Sequence, residues 1–194
     1  MTLVAVSKMQ PETRIEEALG AGQRVFGENR VQEAITRWQQ RRATYPELEL
    51  RLVGPLQTNK AEDAVALFDV IETLDREKLA RAILKAMEKT GRTPRLYVQV
   101  NTGEEPQKAG ITPKNVPAFV AEMRAAMPQG IEGLMCIPPV DEPASLHFAL
   151  LAKLAKAAGV EKLSMGMSAD YALAARMGAS SVRVGSALFG EREG

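Results

Sequence analysis

Lys8 follows the apolar run Leu3-Val4-Ala5-Val6, so its stem begins at the rim of a buried strand, where desolvation lowers the pKa of an amine. A neutral amine is a nucleophile and forms a Schiff base with a carbonyl. The competing reading is a solvated lysine at a strand end, since buried lysines are rare. Lys60 competes for the role, but it stands in or near a helix start, where a surface position is easier. Arg183 lies between Val182 and Val184, and two-residue alternation turns its side chain to the face opposite theirs. Facing inward, it sets a permanent charge beside a ligand and disfavours protonation of a nearby ring nitrogen. Facing outward, it pairs with a helix carboxylate. The third group is Ser164-Met165-Gly166-Met167-Ser168 together with Gly185-Ser186. Small residues let backbone amides approach an anion, and Ser168 at a helix start would aim amides and the helix dipole at a phosphate. Alternatively Ser168 only caps that helix and the glycines only permit turns.

Other polar residues are less pointed. Asn29, Gln57, Asn59 and Asn101 either supply hydrogen bonds to a ligand or satisfy loop backbone. His147 falls in an amphipathic stretch with no oriented acid partner in view, and reads as a surface or packing residue rather than a catalyst. Met165, Met167 and Met177 read as core fillers.

These residues need a frame that gathers strand ends. Short apolar runs alternate along the chain with longer amphipathic stretches, the pattern of βα units around a parallel sheet. The strand candidates are Leu3–Ser7, Arg24–Phe26, Leu50–Val53, Asp69–Glu72, Leu96–Asn101, Ile131–Cys136, Lys162–Met165 and Ser181–Val184. Helix candidates follow Pro11 up to Gly20 and Gly22, and then span 29–43, 58–67, 75–90, 113–127, 144–158 and 168–177. Asp75 is the expected N-cap of one, Pro113 a first-turn residue of another, and Gly91 and Gly159 are expected stops. Eight strands close a (β/α)8 TIM barrel, whose ligand chemistry lies at the carboxyl ends of the strands and whose phosphate site recurs in the loops after strands seven and eight. An open, doubly wound sheet is the rival. The helix count is one short of eight, so either one side of the barrel is less covered or a helix before residue 1 is missing.

The 194 residues, 45% hydrophobic, suit one domain over 1–194. A net charge of +1 provides no broad field for nucleic acid or anionic lipid. The single cysteine, Cys136, excludes an intrachain disulfide, and with His147 as the only histidine no Cys/His metal cluster is expected. Every apolar run is interrupted well before the roughly 20 residues of a membrane span. A cytoplasmic protein is expected.

The strand-end motifs, taken together, resemble one family. Val4-Ala5-Val6-Ser7-Lys8, Phe26-Gly27-Glu28-Asn29 with Val31-Gln32-Glu33, Gly54-Pro55-Leu56-Gln57-Thr58-Asn59-Lys60, Lys108-Ala109-Gly110, Gly133-Leu134-Met135, Ser164 to Asp170, and Val182-Arg183-Val184-Gly185 with Phe189-Gly190 are similar to those of the pyridoxal-phosphate homeostasis proteins. The resemblance spans nearly the whole chain. It implies a barrel like the N-terminal domain of alanine racemases, with pyridoxal 5'-phosphate on Lys8 as a Schiff base and Arg183 beside the pyridine nitrogen. It implies phosphate contacts from Ser164, Met165, Gly185 and Ser186. Adding Ser168 and Asn29, the expected cofactor-binding set is Lys8, Asn29, Ser164, Met165, Ser168, Arg183, Gly185 and Ser186, with no catalytic and no metal-ligating residue. Relatives of this kind usually carry a helix ahead of the first strand, whereas this sequence starts almost at the strand.

The implied function is holding pyridoxal phosphate in vitamin B6 homeostasis without established catalysis, as a monomer whose partners are the cofactor and pyridoxal-phosphate-dependent apo-enzymes. An amino-acid racemase is the alternative. It would need acid/base groups on both faces of the substrate Cα, and Lys8 serves only one. A regulatory interaction protein that senses the cofactor is a third reading.

Overall fold

The computed structural model describes residues 1–127 and 130–190; residues 128–129 and 191–194 of the expected domain lie outside the described residues. Eight strands close in sequence order into one barrel: β1 (Thr2–Val6), β2 (Val25–Glu28), β3 (Glu49–Leu52), β4 (Val70–Leu74), β5 (Arg95–Val100), β6 (Ile131–Cys136), β7 (Lys162–Ser164) and β8 (Ser181–Val184). Every neighbouring pair is parallel. Pairing of β1 with β8, from Thr2 opposite Ser181 to Ala5 opposite Val184, closes the barrel and excludes the open sheet.

The helices are α1 (Glu12–Gly20), α2 (Val31–Trp38), α3 (Arg41–Thr44), α4 (Ala61–Leu67), α5 (Glu77–Thr90), α6 (Val116–Ala126), α7 (Ala144–Ala158), α8 (Tyr171–Arg176) and α9 (Ser186–Phe189). The helix expected over 29–43 is divided into α2 and α3. The segments opening at Thr58 and Pro113 each begin with a 3-10 turn, Thr58–Lys60 and Pro113–Asn115. The helix absent from the count is α9, whose four residues are too few to leave a periodic signature. Asp75 is not an N-cap: Arg76 holds that position in an extended conformation, and the Asp75 carboxylate pairs with its guanidinium. Gly91 and Gly159 do end α5 and α7, at φ of 70° and 67°, where the absence of Cβ removes the left-handed penalty. No helix among the described residues is long and apolar enough to cross a membrane.

Outward-facing strand residues such as Leu50, Leu52, Ile71, Leu96, Val98 and Leu134 pack with Ile83, Phe148 and Leu151 of the helices in the main core. The alternate residues turn inward, where Val70, Tyr97 and Met135 form a small separate cluster. Tyr97 is fixed by this burial, which raises its phenol well above the ordinary range, with Glu132 reinforcing the shift. At the mouth, backbone meets backbone: a Cβ on Gly54 would stand 2.3 Å from Asn29 O, so the turns after β2 and β3 close only around glycine. Gly54→Ala is expected to cost about 1–3 kcal/mol by overpacking. Gly20→Ala, with nothing within 4 Å of its Cβ position, should leave stability level or raise it by up to about 1 kcal/mol. Urea unfolding of both variants decides this, and equal midpoints would reject the close approach.

Candidate functional site

The lumen carries a charged ladder. Ser164 Oγ of β7 donates to Glu72 Oε2 of β4 at 2.6 Å, and since β4 and β7 are not neighbours in the barrel, the bond crosses the interior. Arg183 of β8 donates from Nη1 to the same Ser164 Oγ and from Nη2 to Cys136 O, both at 2.7 Å. On the other side Arg51 Nη1 reaches Glu72 Oε1 at 3.1 Å, and Arg51 Nε reaches Glu49 Oε1 at 2.6 Å. Arg51, Glu72, Ser164 and Arg183 are all buried. Burial opposes the Arg51 charge, but Glu72 and Glu49 outweigh it and raise its pKa above the ordinary value. Arg183 therefore faces inward, the open question of the sequence, and among the described residues its Nε makes no hydrogen bond. The Cys136 thiol, pushed up to about 12 by burial, stays protonated and is no nucleophile at neutral pH.

Lys8 sits above this ladder in a tight turn, half-buried. Gln10 N–H donates to Ser7 O at 3.1 Å to close it, and Met9 takes φ 57°, a left-handed conformation that costs on the order of 1 kcal/mol or more without glycine. Beneath the turn, Ser7 Oγ donates to Glu28 Oε1 at 2.7 Å, which also accepts Arg37 Nη1 and Trp38 Nε1, each at 2.9 Å. The Trp38 ring lies 4.6 Å from that of Phe26.

The loops after β7 and β8 meet the same rim. A Cβ on Gly185 would lie 3.5 Å from Val6 O, so Gly185 borders the strand that ends in the Lys8 turn. Ser168 does not cap α8, which begins at Tyr171 after Asp170. Its Oγ instead accepts Gly185 N–H at 3.2 Å and Ala187 N–H at 3.3 Å, tying the β7 loop to α9. Ser186 is exposed, and its N–H makes no hydrogen bond among the described residues. Ser164 and Met165 lie deeper: the Ser164 hydroxyl proton goes to Glu72, and Met165 N–H donates to Ser181 O at 3.2 Å. The Ser164 hydroxyl and the Met165 N–H, expected at a phosphate, are thus each bonded within the protein. Asn29 stands apart from these loops, half-buried in a cleft of about 890 Å³ lined also by Arg30, Gln57, Lys60 and Arg76.

The remaining candidates resolve simply. Asn101 serves loop backbone, donating from Nδ2 to Glu105 O at 2.8 Å. Lys60 lies 3.7 Å from Asp63. Met165 is core, but Met167 is exposed. His147 is buried rather than superficial, with Nδ1 3.0 Å from Thr102 Oγ1 and Nε2 3.3 Å from Glu142, an acid supplied by the preceding loop and hence invisible to helical spacing. Among the described residues no cluster of His, Cys, Asp or Glu could hold a metal ion.

Residues 2–193 match the family described as alanine racemase, N-terminal domain. A pyridoxal phosphate homeostasis protein of Vibrio cholerae is 40% identical over 98% of this chain and 85% of its own length. One from Schizosaccharomyces pombe is 37% identical over 98% and 84%. The chain belongs to the pyridoxal phosphate homeostasis protein family. Among solved structures similar to this family member is PipY of Synechococcus elongatus with PLP bound, at TM-score 0.86 and 40% identity, covering 98% of this chain and 92% of that one. An alanine racemase of Clostridium difficile, at TM-score 0.75 and 16% identity over 53% of its length, shares the fold.

Sequence spacing alone missed Glu72, Arg51 and Arg37 as members of the buried networks of this family member. The available signal was charge inside apolar strands, Leu50-Arg51-Leu52 and Ile71-Glu72-Thr73, which period-2 alternation sends to one face. Glu72→Leu is expected to destabilise the protein by about 3 kcal/mol or more, because it leaves buried cations short of a counter-charge. Ser164→Ala should cost about 1–3 kcal/mol. Chemical denaturation showing wild-type stability for Glu72→Leu would rule out the cross-lumen ladder as a structural element.

Proposed function

We propose that this protein binds pyridoxal 5'-phosphate through Lys8 and serves its homeostasis in the cell. The observation that carries the reading is the convergence of the Lys8 turn, the Ser168-tied loop at Gly185 and Ser186, and the inward Arg183 on neighbouring strands β1, β7 and β8. The donors fit the group: an amine for an aldehyde, Ser186 N–H for a phosphate, and the buried Arg183 guanidinium, which would serve a ring nitrogen. The names of the relatives and the PLP-bound PipY support the same assignment.

When bound, pyridoxal phosphate supplies an aldehyde that amines attack and a ring that can accept electrons. Lys8 would hold the aldehyde carbon. Gly185 and Ser186 would hold the phosphate, with Ser168 keeping their loop in place, and Ser164 would act indirectly by orienting Arg183. Asn29 would bound the mouth from β2. The permanent charge of Arg183 disfavours a proton on the ring nitrogen and so weakens the ring as an electron sink. We therefore assign the protein a non-catalytic, carrier or regulatory role, in one domain, cytoplasmic and monomeric, with pyridoxal-phosphate-dependent apo-enzymes as recipients.

Borohydride reduction after loading, followed by peptide mass mapping, is expected to place the pyridoxyl group on Lys8, and Lys8→Ala should abolish it; label on Lys60 with Lys8 untouched would reject the assignment. Racemisation separates the carrier from the enzyme. Chiral chromatography of alanine incubated with the loaded protein should show no inversion near the roughly 1 to 1,000 turnovers per second of ordinary enzymes. Rapid conversion of the L to the D form, lost in Lys8→Ala, would overturn the non-catalytic role.

A further inference from the structure

We infer that Arg37 is a positioning residue for Lys8: from α2 it straps the backbone turn that carries the lysine, and so sets where the amine meets its ligand. The inference rests on the pyridoxal-phosphate reading above. Arg37 Nη1 donates to Ser7 O at 2.9 Å, and Nη2 donates to Gln10 O at 3.3 Å. One guanidinium thus grips carbonyls on both sides of Lys8. Its own position is fixed twice more, by Nη1 on Glu28 Oε1 at 2.9 Å and by Nε on Glu12 Oε1 at 3.0 Å.

Glu28 completes the brace from below, since the oxygen that accepts Arg37 also accepts Ser7 Oγ. The turn needs such a brace. Met9 is held at φ 57°, a conformation that persists only where surrounding contacts over-determine it. The Arg37 side chain is 13% exposed, so water competes weakly for its donors. Burial opposes its charge, but Glu28 and Glu12 outweigh that and raise its pKa, so the strap does not release by losing a proton. A lysine at this position keeps the charge beside Glu28, yet an ammonium lacks the planar fork that reaches two carbonyls and two carboxylates at once.

The test uses the full chain as wild type, Arg37→Lys, Arg37→Met and, as a control from the adjoining helix α3, Arg42→Met, whose arginine binds Leu67 O and Asp69 and neither the turn nor Glu12. Each is titrated with pyridoxal phosphate, reduced with borohydride and mapped, with thermal unfolding recorded alongside. Arg37→Met should bind about tenfold more weakly, shift the absorbance band of the bound cofactor, and lose selectivity for Lys8 over Lys60. Arg37→Lys should recover part of both, and Arg42→Met should match wild type. Wild-type affinity, band and selectivity in Arg37→Met, or in Arg37→Lys if the methionine variant does not fold, would overturn the positioning role. Equal losses in Arg42→Met would do so too, by showing a general helix effect. Absence of label from Lys8 in the wild type would instead overturn the pyridoxal-phosphate reading and this inference with it.

Discussion

An eight-stranded barrel has an interior just wide enough for its own side chains, and a charged group turned into it has no solvent to fall back on. Glu72 is the charge on which this interior turns. Fully buried, it takes Arg51 on one oxygen and Ser164 on the other, and Ser164 hands the contact on to Arg183. Four strands, β3, β4, β7 and β8, are thereby joined across the lumen as well as around the wall. Removing one member would strand the others, which makes the ladder a device for holding Arg183 in a single orientation more than a source of net stability.

Above the ladder the same logic repeats at smaller scale. Glu28 gathers Ser7, Arg37 and Trp38 under the Lys8 turn, and Ser168 gathers two amides of the α9 entrance. These groups spend their hydrogen bonds inside the protein and define geometry. Among the described residues, Ser186 N–H and Arg183 Nε are donors that no internal hydrogen bond takes up. The Ser164 hydroxyl and the Met165 N–H are among the groups bonded inside the protein.

The likeness to alanine racemase, at 16% identity, concerns the barrel alone, and a shared barrel does not carry a shared reaction. What bears on chemistry is the inward Arg183, proposed here to set the ring environment, and the availability of acid/base groups on one or both faces of a bound amino acid. The first is visible in the hydrogen bonds of β8; the second is a matter for the chiral assay.

Local sequence was enough for the architecture, because the eight strand runs and the spacers between them are short-range patterns that period-2 and period-3.6 burial impose directly. It was enough, too, to expect Lys8, Arg183 and the loops at Ser168 and Gly185 on neighbouring strand ends, since strand ends of a barrel converge whatever the details. It was not enough for α9, four residues long, nor for which helix Ser168 serves, nor for the face of Arg183. Those depended on partners distant in sequence: Ser164 and Glu72 are 92 residues apart, and Ser7 and Arg37 are 30 apart. A hydrogen bond between such residues exists only after the barrel has closed, so tertiary structure alone decided which polar groups brace the site and which face its mouth.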